Sequence, residues 1–160
     1  MKITTTDVYG QTYEVDAKSL IPKIHVYGLA VKGDQILISP QFDGYDYPGG
    51  TFELGETTEE TLKREFWEET GYEIEPEKLL TLKTSFFHHP KRNQDYHSLL
   101  IFYLVEIVGG ELSDQGFDAD EREYAKLAKW VNLDNLRHMH HACSIDIADK
   151  LLDLALTHQP

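Results

Sequence analysis

Cysteine is almost missing from this chain: Cys143 is the only one in 160 residues. An intrachain disulfide is excluded, which agrees with a reducing compartment, and a small buried side chain is the expected role of that thiol. No stretch approaches the roughly 20 apolar residues that span a bilayer, and the opening MKITTTDVYG lacks the apolar run of a secretory signal. These absences predict a cytoplasmic protein without a membrane partner. Basic residues are scarce as well, 15 against 28 acidic ones, for a formal net charge of -13. Binding along DNA or RNA rests on neutralising phosphates with Lys and Arg, so no nucleic-acid polymer is expected as a partner. A small phosphorylated substrate is compatible with the balance, because charges beyond a Debye length of about 8 Å are largely screened. Such a substrate needs local cations at its site.

Internal repeats, low-complexity tracts and Pro/Gly/Ser linkers are absent too, which predicts one domain over residues 1–160. So are the G-x-S-x-G, P-loop, EF-hand and paired-cysteine patterns. What is present is enough apolar and aromatic material for a core: 41% hydrophobic residues, with 9 Tyr, 7 Phe and 2 Trp.

KITTTDVYGQTYEV reads as two short strands about Gly10, and IHVYGLAVKGDQILIS as two more joined through Lys32, Gly33 and Asp34. Both pairs are expected to be antiparallel. In TTEETLKREFWEETG, Thr57 and Glu60 have capping-box spacing and Gly71 is a natural stop, which predicts a helix of about four turns. LLIFYLVEIV (99–108) is nearly unbroken in apolar character, as in a strand covered on both faces. KLAKWVNLDNL reads as a strand entering a helical turn, and SIDIADKLLDLAL as an amphipathic helix with Ile145, Ala148, Leu151, Leu152 and Ala155 inward. The mixture predicts an α+β or mixed-sheet α/β fold, a sheet sandwiched between helices.

The helix carries an unusual face. REFWEETG (64–71) places Glu65, Glu68 and Glu69 within about a third of the helix circumference, although like charges at this spacing cost roughly 0.2–0.5 kcal/mol per pair. A divalent cation reverses that sign, and Mg²⁺ or Mn²⁺ prefers such oxygen donors. The alternative is a solvated acidic face relieved by Lys63 and Arg64. Just upstream, Pro48, Gly49 and Gly50 are expected to form a turn whose backbone approaches an ion or phosphate closely. Glu56 stands before the helix.

Read together, positions 50 to 72 give G-x5-E-x7-R-E-F-x-E-E-x-G-Y, and here the sequence resembles the Nudix hydrolases, whose signature is G-x5-E-x7-R-E-U-x-E-E-x-G-U with U bulky and apolar. Gly50, Glu56, Arg64, Glu65, Glu68, Glu69 and Gly71 all match; at a background near 7% per position, chance would give this on the order of 10⁻⁸ of the time. The departures are Phe66 and Tyr72, where the family more often carries Ile, Leu or Val. The resemblance implies an α/β/α sandwich and hydrolysis of a diphosphate linked to another moiety, by water attack on phosphorus with bound Mg²⁺ or Mn²⁺.

It also implies roles. Glu65, Glu68 and Glu69 would ligate the metal directly or through water, with Glu56 a supporting carboxylate and the Gly49 carbonyl a further oxygen. Arg64 would hold the cluster in register. Glu65 is the first choice for general base, with Glu123, or failing it Glu121, on the later loop FDADEREY as the alternative. The rival function is a ligand-sensing module that kept the fold and lost turnover. Assembly is open, a homodimer being one possible state.

Three further groups are weaker. HHPKRNQDYH gathers Lys91 and Arg92, which either bind the substrate or cap a solvated hairpin. His138, His140 and His141 lack Cys partners and HExxH spacing, so zinc is not expected. Tyr45, Tyr47, Phe86 and Phe87 are candidates for stacking on a base, although aromatics beside strands more often belong to the core.

Overall fold

In a computed structural model of the chain, residues 1–42, 44–117, 126–142, 153 and 155–157 are described. The alternating segments at the start pair as expected: Lys2–Thr6 (β1) and Thr12–Asp16 (β2) run antiparallel, turning at Gly10 with φ 81°. A 3-10 turn, Ala17–Ser19, leads into Ile21–Lys32 (β3), which turns at Gly33 (φ 61°) into Gln35–Gln41 (β4). Gly44–Asp46 (β5) and Gly49–Thr51 (β6) precede the one long described helix, Thr58–Thr70 (α1). Two long strands, Tyr72–His89 (β7) and Gln94–Gly110 (β8), follow as a hairpin, and Lys129–Asn132 (β9) runs into a helical turn, Leu133–Leu136 (α2).

The nine described strands form one curled mixed sheet in the order β2-β1-β7-β8-β3-β4-β5, with β6 on β3 and β9 on β4. Two pairings are parallel, β1 with β7 at Thr6↔Phe87 and β3 with β8 from Ile21↔Tyr96 to Ala30↔Val105. The period of two then sorts side chains to two covered faces. Val26, Ala30, Ile101 and Val105 meet Leu62 and Phe66 of α1, whereas Tyr27, Leu29, Phe102 and Leu104 meet Leu136 of α2 and Ala155. The expected sandwich is therefore present, with β8 as its central strand. The expected closing helix over 144–156 lies largely outside the described residues, as does Cys143; Ala155 is described and fully buried.

Local chemistry fixes α1 firmly. Thr57 accepts from the Glu60 amide while the Glu60 carboxylate accepts from the Thr57 amide, and Gly71 ends the helix at φ 75°. Each buried apolar side chain on the inner face, Leu62 and Phe66, contributes roughly 1.5–3 kcal/mol. Phe66 fits where the signature more often has a branched aliphatic residue because Gly28 opposes it: a Cβ at 28 would stand 2.9 Å from the Phe66 ring.

One local expectation fails. Gly49 and Gly50 do not form a turn; they belong to β6, opposite Tyr27 and Val26 on β3. At φ 148°, and with a Cβ at Gly49 set against the Val26 carbonyl, only glycine suits position 49. No described helix is long and apolar enough to cross a membrane.

Candidate active site

The inner face of α1 consumes Leu62 and Phe66, so the glutamates one residue earlier, and two and three later, emerge along its flank, beside β6 and β3. There they front a cavity of about 710 Å³. Glu65 is buried, 8% exposed, with Glu68 and Glu69 half-buried beside it.

Arg64 is the hub of this end. Its Nε and Nη2 donate to Glu56 Oε1 and Oε2 at 2.7 and 2.8 Å, and Nη1 donates to Glu65 at 2.8 Å and Glu68 at 3.3 Å. Nη2 also reaches the Thr51 carbonyl on β6, at 3.3 Å. The pairing with Arg64 holds the Glu56 carboxyl down to about 2, against a burial that works the other way; a bond from Thr61 at 2.8 Å adds to the depression. The guanidinium is shifted upward in turn, first by Glu56. Glu69 takes different partners, accepting from Ser39 Oγ at 2.9 Å and the Gly49 amide at 3.0 Å.

Among the described residues, no three acidic, imidazole or thiol side chains converge closely enough to cage an ion as they stand. The reason is visible in the contacts: Glu65 and Glu68 share one Arg64 nitrogen, and Glu69 is turned toward β4 and β6. The donor set nevertheless fits a hard dication, being all oxygen and carried on one rigid helix. Gly50 keeps that space open, since a Cβ there would run into the Glu65 carboxylate.

The other expected residues separate. Glu56 is held by Arg64 and Thr61 and stands off the cavity lining; Gly49 lies on it. Of the hairpin-tip cations between β7 and β8, Arg92 borders the cavity and Lys91 does not. Glu121 and Glu123 lie outside the described residues. Tyr45 and Tyr47 are core, 1% and 0% exposed, and Phe86 packs on His97, leaving Phe87 alone of those four beside the cavity. His140 Nε2 donates to the Val8 carbonyl at 2.8 Å, while His141 faces Asp46 at 3.5 Å.

Sequence reasoning missed the cavity residues Lys23, His25 and Val8, and it missed Ser39, which holds Glu69 from β4. Desolvation, aided by Lys23, lowers His25 to about 4, so its ring is neutral at pH 7. None of the four carries a local signal, because each is brought to the site through strand pairing with distant sequence.

A curled mixed sheet with a glutamate-flanked helix across one face defines an α/β protein with an oxygen-donor cleft. The NUDIX domain model matches residues 23–151. An ADP-ribose pyrophosphatase of Methanocaldococcus jannaschii is 36% identical over 113 residues, covering 68% of this chain and 64% of that protein. An NAD-capped RNA hydrolase of Stutzerimonas stutzeri is 30% identical over 112 residues, 68% of this chain and 36% of its own length. The chain thus spans less than two thirds of either relative. Among solved structures, an ADP-ribose pyrophosphatase from Streptococcus suis superposes with a TM-score of 0.63 at 19% identity, over 88% of this chain and 94% of that one. A NUDIX hydrolase from Nitrosomonas europaea gives 0.63 at 18% identity, over 86% and 90%. The chain belongs to the Nudix family.

Proposed function

We propose that this protein is a metal-dependent pyrophosphohydrolase that cleaves the phosphoric anhydride of a nucleoside diphosphate linked to a second group. The observation that carries the reading is the Glu65, Glu68 and Glu69 set at one end of the cavity, the first two tied through Arg64 and the third held by Ser39 and the Gly49 amide. The names of the relatives support the same reaction class, and the M. jannaschii relative makes ADP-ribose the first probe. The net charge of -13 favours a small substrate over a polymer, and the composition suits a cytoplasmic enzyme.

Glu65, Glu68 and Glu69 would hold Mg²⁺ or Mn²⁺, with the Gly49 carbonyl as a further oxygen donor. When bound, the dication neutralises diphosphate oxygens and makes water a better nucleophile at neutral pH. Every other part of the task falls to the chain itself. Arg64 spaces Glu65 and Glu68, and Glu56 fixes Arg64 from behind. Glu65, the most buried of the three, accepts the proton of the attacking water; Glu123 is the second candidate for that role. Arg92 and Lys23 place positive charge beside the remaining phosphate oxygens.

The test is a substrate panel with and without Mg²⁺ or Mn²⁺, run in ¹⁸O-water so that the labelled product identifies the attacked phosphorus. ADP-ribose is expected to give labelled monophosphate only when metal is present. Absence of turnover across nucleotide sugars, dinucleoside polyphosphates and nucleoside triphosphates would instead make the protein a ligand-sensing module.

A further inference from the structure

The family match begins at Lys23, yet part of the cavity wall comes from before it: Val8, on the turn between β1 and β2, lines the same cavity as Glu65. The register shows how far apart the two lie. Thr6 on β1 pairs with Phe87 on β7, Phe87 with Tyr96 on β8, Tyr96 with Ile21 on β3, and β3 with β6, beside which Glu65 stands. Four strand steps at about 4.8 Å each put some 19 Å of curled sheet between the hairpin and the glutamate end. Phe87, Tyr96, Ser98, Lys23 and His25 share the face between them and all line the cavity. A diphosphate fills only a fraction of such a floor.

The hairpin is built as a rigid stop. Asp7, 2% exposed, accepts from the Tyr9 and Gln11 amides at 2.9 Å each and from the Tyr13 hydroxyl at 3.1 Å. Tyr13 stacks on His88 with ring centroids 3.9 Å apart, and Asp95 accepts from Thr5 Oγ1 at 2.6 Å and lies 3.0 Å from His88 Nδ1. The Val8 carbonyl accepts from His140, two residues before Ala142, which also lines the cavity. Such a network, anchored on the buried Thr5, Asp7 and His88, fixes one geometry rather than adapting to its ligand.

Building on the proposed function, we infer that the N-terminal hairpin, through Val8 and the Asp7-centred turn behind it, sets the length of substrate that the cavity accepts. The substituent remote from the metal end packs against Val8, while the diphosphate does not touch it. Val8 is therefore a specificity determinant rather than a catalytic residue, and His140 is a positioning residue that acts through the Val8 backbone.

Calorimetric binding with calcium present separates the two ends without requiring turnover. ADP-ribose probes the whole cavity and inorganic pyrophosphate the metal end alone. Val8→Met is expected to raise the Kd of ADP-ribose about tenfold and leave that of pyrophosphate within twofold. His140→Ala, an exposed change that keeps the core intact, should weaken ADP-ribose threefold or more with the same selectivity, which covers the case in which Val8→Met does not fold. Equal changes for both probes, or none in His140→Ala, would overturn the inference and leave the diphosphatase reading standing. If the unsubstituted protein binds pyrophosphate and not ADP-ribose, the inference also fails. Binding of neither probe would remove the proposed function itself, and the inference with it.

Discussion

The guanidinium of Arg64 grips both carboxylate oxygens of Glu56, at 2.7 and 2.8 Å, from eight residues further along the chain. Its remaining nitrogen is shared by Glu65 and Glu68. One side chain thus sets the spacing of three acids, and a lysine cannot reproduce that fork. Arg64→Lys is expected to lower kcat at least tenfold. It should also cost about 2 kcal/mol of stability, the range of a lost charge-assisted hydrogen bond. Urea unfolding alongside single-turnover kinetics measures both; a variant with unchanged kcat removes Arg64 from the site's organisation.

The same pair makes stability depend on acid. Glu56 is depressed from its ordinary 4.5 to about 2, chiefly by Arg64. A carboxyl that binds its proton less readily when folded adds stability above its unfolded value and loses it as pH falls through its folded value. Stability should therefore decline between about pH 4.5 and 2, with Glu56→Gln flattening part of that slope. Denaturation midpoints across this window check it. A slope unchanged in the variant assigns the acid sensitivity elsewhere.

His25 offers a second titration, of opposite charge type. Its ring is lowered from 6.5 to about 4, mainly by desolvation. The unfolded chain then takes up the proton first as pH drops, so stability falls from about pH 6.5 toward 4 and is unaffected above. NMR of the His25 ring is expected to show a midpoint near 4, rising once a diphosphate occupies the adjoining cavity. A midpoint near 6.5 in the free protein contradicts the desolvated, neutral ring.

Metal binding should be visible as mass action. If Glu65, Glu68 and Glu69 hold the dication, millimolar Mg²⁺ raises Tm, because a ligand bound only to the folded state stabilises it. Glu68→Gln removes one charged donor and should abolish that rise. Its kcat should fall a hundredfold or more, the scale expected when preorganised charge at a reacting centre is lost. A Tm that ignores Mg²⁺ in the unsubstituted protein would reduce the glutamates to a solvated face.

What could be read in advance was whatever sequence neighbours settle among themselves. The capping box of Thr57 and Glu60, the left-handed Gly71, the turns at Gly10 and Gly33 and the run 99–108, covered on both faces from Leu100 to Val105 and exposed at Leu99 and Val108, are all short-range or periodic. What stayed hidden is set by partners far away. β6 looked like a turn because Gly-Gly is a turn signal, and only its pairing to Tyr27 and Val26 makes it a strand. The 18-residue length of β7 was masked by register shifts at Glu73/Ile74, Pro76/Lys78 and Leu79/Thr81, which break the alternation of period two. Ser39 reaches Glu69 across 30 positions, and Val8 joins the cavity through Thr6 and Phe87. The glutamate face was legible from helix spacing alone; the cavity wall opposite it requires the folded sheet.

Two glycines on neighbouring strands beneath α1, Gly28 on β3 and Gly50 on β6, separate packing from chemistry. A Cβ at Gly28 would stand 2.9 Å from the Phe66 ring and 3.1 Å from Val105 Cγ1, both within the packed core. Neither can move far, so Gly28→Ala should destabilise the protein by about 1–3 kcal/mol, the range of core overpacking. That corresponds to a Tm lower by about 2–4 °C per kcal/mol at this size, with kcat at lower temperature nearly preserved. At Gly50 the obstacle is instead the tip of Glu65, a carboxylate that can swing aside. Gly50→Ala should therefore keep most of the stability while displacing Glu65 from Arg64, with kcat down tenfold or more. Thermal melts and kcat of the two variants, measured together, give opposite profiles if Glu65 acts where it stands. Equal activity loss in both would mean that the helix as a whole, and not the Glu65 carboxylate, is what Gly50 protects.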